Sequence, residues 1–87
     1  MVSEKVKVIN KEGMHMRPAS LIAQMCGPMK SSVKLSYNGK LYDCKSIMML
    51  MTAGIKCGAE LEVIADGEDE KEALKKVVDL FNSGLGD

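Results

Sequence analysis

The stretch SVKLSYNGKLYDC, residues 32–44, decides the fold. Two runs of alternating apolar and polar residues flank Asn38-Gly39, the pair that accepts positive φ at both central positions of a type I′ turn. A two-residue loop of this kind fixes the register, so Tyr37 should oppose Lys40, Leu35 should oppose Tyr42, and Val33 should oppose Cys44. The strand period of two then gathers Val33, Leu35, Tyr42 and Cys44 on one face and leaves Lys34, Ser36 and Asp43 mostly on the other. A sheet built from such strands is apolar on one side and wet on the other.

Working outward, EKVKVIN (4–10) alternates Lys5 and Lys7 with Val6 and Val8, another half-buried strand. RPASLIAQMC (17–26) places Ala19, Ile22, Ala23 and Cys26 on one helical stripe and stops at Gly27-Pro28. On the other side, SIMMLM (46–51) predicts a short helix capped by Ser46. AELEVIAD (59–66) alternates again, with Leu61 and Val63 inward. Asp69, with Glu72 three residues on, predicts an acidic capping box. The helix it opens carries the stripe Ala73, Leu74, Val77, Val78 and Phe81, and Gly84 stands where a C-terminal glycine belongs. The order is β-α-β-β-α-β-α. Helices must cover the apolar face alone, which gives an α+β, two-layer open-faced sandwich: a four-stranded, mainly antiparallel sheet with three helices on one face. Residues 1–87 hold no repeat or linker and read as a single domain.

Composition narrows the function classes. The three cysteines, Cys26, Cys44 and Cys57, are odd in number and form no CxxC pair, so they read as reduced thiols of a cytoplasmic protein. The charged, alternating MVSEKVKV is not expected to be a signal peptide. IMMLM (47–51) is far too short to insert in a bilayer. Zero net charge argues against a general nucleic-acid binder. Its distribution is uneven: residues 1–57 hold nine Lys/Arg against three Asp/Glu, and residues 58–87 the reverse. That suits steering toward an acidic partner or an anionic group, and equally two solvated faces that differ by chance.

The only histidine lies in GMHMRPAS, residues 13–20, where the first strand meets the first helix. Gly13 allows the turn, and Pro18 falls in the first helical turn, where its missing N–H costs nothing. First-turn amides and the helix dipole disfavour a cation at His15 and welcome an anion. The ring is therefore expected to be an uncharged nucleophile, and Arg17 can bring charge-assisted hydrogen bonds to a phosphoryl group arriving on it. The plain alternative is a lone surface histidine with no chemistry. No paired-carboxylate site, metal-ligand spacing or Gly-rich nucleotide loop marks a stand-alone enzyme.

GMHMRPAS resembles the active-centre segment of HPr, the histidine-containing phosphocarrier of the bacterial phosphoenolpyruvate:sugar phosphotransferase system. YNGK (37–40), KSIM (45–48), GAE (58–60) and the terminal GLG extend the resemblance over nearly the whole chain. It implies that His15 becomes a phosphohistidine at Nδ1, charged by phosphorylated enzyme I, and hands the group to enzyme IIA domains for sugar transport. Arg17 matches the family's phosphate-binding arginine. The family uses no metal or organic cofactor and acts as a shuttle rather than a turnover enzyme; a monomer is expected. In many bacteria the serine matching Ser46 is phosphorylated by HPr kinase/phosphorylase, and that phosphoprotein binds CcpA in carbon catabolite regulation. A regulatory module acting mainly through Ser46, or a non-sugar phosphorelay, is the competing reading.

A helix of one or two turns cannot bury all of Ile47 to Met51. Leu50 is assigned to the core, while Ile47, Met48 and Met51, with Met16 and Ser20, form a candidate partner-binding surface, methionine being suited to varied partners. Three residues depart from the family pattern: Met16 and Met49 are bulkier than usual, and Glu12 lies three residues before His15. A carboxylate near phosphohistidine would repel it, shorten its lifetime and favour a protonated ring, against the helix end. Pointing into solvent, it would do none of this.

Overall fold

The computed structural model describes residues 1–86. Its elements are β1 (Val2–Lys7), α1 (Met16–Cys26), β2 (Ser32–Tyr37), β3 (Lys40–Asp43), α2 (Ile47–Thr52), β4 (Glu60–Asp66) and α3 (Glu70–Asn82). The sheet runs β1-β4-β2-β3, and every neighbouring pair is antiparallel. The hairpin register is the expected one: Tyr37 opposes Lys40, Leu35 opposes Tyr42, and the Cys44 N–H donates to the Val33 carbonyl at 2.9 Å. Asn38 and Gly39 both take positive φ, 51° and 79°, as a type I′ turn requires.

Val6, Val33, Leu35, Leu61, Val63 and Ala65 form the buried side of the sheet. Ala19, Ile22 and Cys26 of α1, Leu50 of α2, and Ala73, Val77, Val78 and Phe81 of α3 close over it. Apolar burial of this kind is the main favourable term in folding. Pro18 joins the buried side of α1, while Ala23 and Leu74 lie only half-buried at its edge. Cys26 and Cys44 are buried, Cys57 is exposed, and all three are free. Among the described residues no helix is long and apolar enough to cross a membrane.

β1 ends at Lys7 rather than at residue 10, yet Val8 stays buried: its N–H donates to Ala59 and its carbonyl accepts from Gly58. α1 stops where Pro28 offers no N–H to the Gln24 carbonyl; Gly27 itself is still right-handed and bonded to Ala23. At the far end of α3, Gly84 (φ 88°) donates to Phe81 and Leu85 donates to Leu80, a Schellman cap that seats Leu85 in the core.

The capping box at Asp69 is not made. Asp69 holds the N-cap position, but its carboxylate accepts from the Lys30 and Ser31 amides, at 3.2 and 2.8 Å, and from the Ser31 hydroxyl. Those donors lie on the segment entering β2, so the side chain ties two elements together instead of closing its own helix. Ser31's hydroxyl first, then the amides, hold the Asp69 carboxyl down at about 2. Glu70 reaches back instead, accepting from the N-terminal ammonium group and from the Gly67 amide, which hold its carboxyl below the usual carboxylate range.

Candidate functional site

The site is built on the turn that joins β1 to α1. The Gly13 N–H donates to the Asn10 carbonyl, and the Asn10 side-chain amide donates to the Gly13 carbonyl at 2.7 Å. This places Lys11 and Glu12 at the tip of the turn. Gly13 has φ of 69°, and a Cβ there would lie 2.6 Å from the Ile55 carbonyl oxygen and 2.7 Å from the Lys56 Cα. The Met14 N–H donates to that same Ile55 carbonyl at 2.9 Å. The segment before α2's successor strand thus fixes the approach to His15 from outside the motif.

His15 is the N-cap of α1, extended at φ −103° and ψ −171°, with its carbonyl accepting from Ala19. Its ring makes no cap bond. Met16 and Arg17 open the helix, and first-turn amides face a helix's N-terminal end, the end that His15 caps. The two methionines flanking the ring divide the work: Met14 is in the core, and Met16 is 65% exposed. The imidazole itself is one-third exposed, so it is neither sealed in the interior nor loose in solvent.

His15 and Arg17 line one open recess together with Lys11 and Glu12, about 370 Å³ in volume. Glu12 does approach the ring: its Oε2 lies 3.6 Å from His15 Nε2. The recess is therefore bordered by two cations, one carboxylate and one imidazole, a lining whose cations suit a small anion. A roomier concavity between β1, β4 and Asn82 is lined by no histidine, cysteine or serine.

Ser46 is outside this recess. It caps α2, its Oγ accepting from the Met49 N–H at 3.3 Å. α2 packs against α1, buries Leu50, and leaves Ile47, Met48, Met49 and Met51 exposed, Met48 at 76%. On α1, Ser20 is half-buried one turn beyond Met16, on the same side of the helix. Two parts of the site escaped the sequence reading. The Asn10 side-chain bond had a faint signal, an Asn three residues before a Gly; the Ile55–Cys57 backing had none, because it comes from a distant segment.

The family model described as the PTS HPr component phosphorylation site matches residues 2–83. The chain belongs to the HPr family. It is 46% identical over 77 residues to the HPr-like protein Crh of Bacillus subtilis, covering 88% of this chain and 91% of Crh. The solved structure of HPr from Thermoanaerobacter tengcongensis is similar with a TM-score of 0.94 at 36% identity, covering 100% of this chain and 98% of that one. The crystal structure of Crh, described as a dimer with swapped domains, is similar with a TM-score of 0.78 at 42% identity and 95% coverage of both chains. Membership of the HPr family makes this a phosphocarrier-type domain of the phosphotransferase system. Dimers among its relatives mean that the expected monomer does not follow from the HPr fold.

Proposed function

We propose that residues 1–87 act as one phosphocarrier domain in which His15 takes a phosphoryl group from phosphorylated enzyme I and passes it to enzyme IIA domains during sugar uptake in the cytoplasm. The observation that carries this reading is the position of His15: an accessible imidazole at the open end of α1, sharing a recess with Arg17 and Lys11. Arg17 supplies charge-assisted bonds to the phosphoryl oxygens, and the first-turn amides add neutral donors. The exposed Ile47, Met48 and Met51 of α2 and Met16 of α1, with the half-buried Ser20, form the surface that partners read. Mixing the protein with enzyme I and phosphoenolpyruvate should give an acid-labile adduct, abolished in His15→Ala. Persistence of the adduct in that variant would overturn the assignment.

The 46% identity to Crh favours a second reading, an HPr-like regulator working through Ser46, HPr kinase/phosphorylase and CcpA. An acid-stable adduct formed only with ATP, and lost in Ser46→Ala, would support it. The retained His15 and Arg17 favour the carrier.

A further inference from the structure

The carboxylate of Glu12 faces one particular nitrogen of the imidazole. Its Oε2 lies 3.6 Å from Nε2, too long for a hydrogen bond but well within electrostatic reach. The backbone of the turn that carries Glu12 is held at three points, Gly13 to Asn10, Asn10 to Gly13, and Met14 to Ile55, which keeps residue 12 within reach of the ring while its side chain stays largely exposed. Lys11 and Arg17 also border the recess, and as cations they have no acceptor for an imidazole proton.

A neutral imidazole carries one proton on either of two nitrogens, and a neighbouring acceptor selects which. We propose that Glu12 is a positioning residue that keeps this proton on Nε2, directing the nucleophilic lone pair to Nδ1. The consequence for catalysis rests on the phosphocarrier reading, whereas the tautomer does not. In the forward step the Nδ1 lone pair forms the new P–N bond while the donor's bond to phosphorus breaks, its electron pair returning to the donor. His15 then bears a positive ring with hydrogen still on Nε2, and Glu12 offsets that charge from the edge opposite the phosphoryl group. On delivery the P–Nδ1 bond breaks and its electron pair returns to Nδ1. Because Nε2 has kept its proton, the leaving group is neutral imidazole and not its anion. Glu12 thereby keeps the phosphorylated ring in its protonated form, the form whose leaving group is neutral.

The test uses the fact that His15 is the only histidine. Ring-15N-labelled protein, at a pH where the imidazole is neutral, should show two widely separated nitrogen resonances with Nε2 as the protonated one. In Glu12→Ala and Glu12→Gln the two resonances should move toward each other as the other tautomer gains population. Phosphorylated Glu12→Ala should also release its group more slowly than the phosphorylated wild type. Unchanged nitrogen shifts in both variants, with the fold intact by amide spectra, would overturn the proposal. That outcome is separate from failure of the carrier reading, which would appear as no phosphoryl acceptance by the wild-type protein.

Discussion

At Gly13 a single missing methyl group sets the geometry of the site. The residue is left-handed and pressed against the Ile55–Cys57 backbone, so a side chain meets both backbone strain and a backbone collision. Gly13→Ala should cost about 2 kcal/mol or more, combining left-handed strain with overpacking, read as a lower urea midpoint. It should also lower phosphoryl acceptance, because the displaced turn carries His15 with it. The need for a turn glycine was legible in the sequence, since it follows from chain geometry at a strand–helix join. The partner that makes the glycine obligatory was not, since residue 55 comes near residue 13 only through the tertiary fold. Glu12 shows the same limit: three residues of separation allowed either contact or solvent, and in the structure its carboxylate nears the ring while the side chain stays largely exposed.

Among the elements, α2 depends most on its cap. It is six residues long and buries only Leu50, so the Ser46 hydroxyl is a large share of what holds it. Isolated helices this short do not persist in water. Ser46→Ala should destabilise the protein by about 1 kcal/mol, seen in thermal or urea unfolding, while leaving His15 able to accept a phosphoryl group. Ser46→Asp should keep the cap and leave the unfolding midpoint near wild type, yet slow phosphotransfer from enzyme I by placing negative charge on the recognition surface. Equal transfer rates for Ser46→Asp and wild type would count against that electrostatic account. Elements set by neighbouring residues, such as the Asn38-Gly39 hairpin and the Ser46 cap, could be foreseen from the chain alone. Asp69 could not: its position at the head of α3 was correctly placed, but donors from residues 30 and 31 drew its carboxylate away. Local signals compete with tertiary partners, and here the partner offered three donors.

For the molecule as a whole, that Asp69 contact joins the start of α3 to the start of β2 and makes stability depend on acid. The carboxyl sits at about 2 in the folded protein, against an ordinary 3.8. A depressed value means that the ionised form favours the fold, so the contribution is complete above about pH 4 and is lost as pH falls toward 2. Melting temperature should therefore drop through this window, and Asp69→Asn should be less stable at neutral pH with a flatter profile between pH 4 and pH 2. An identical acid profile for the two proteins would show that the clamp contributes nothing.

The strand order carries a consequence for how the chain comes into being. β4 lies between β1 and β2, and β1 has no other strand beside it. During synthesis the first two-thirds of the polypeptide can form its central hairpin and little more of the sheet, because the strand that joins the two halves is made late. The N-terminal strand cannot complete its pairing, and its apolar side stays uncovered by the sheet, until residues 60–66 are available. Completion is then abrupt, and the corner that holds His15 is framed only once that late strand has joined β1 to the rest of the sheet.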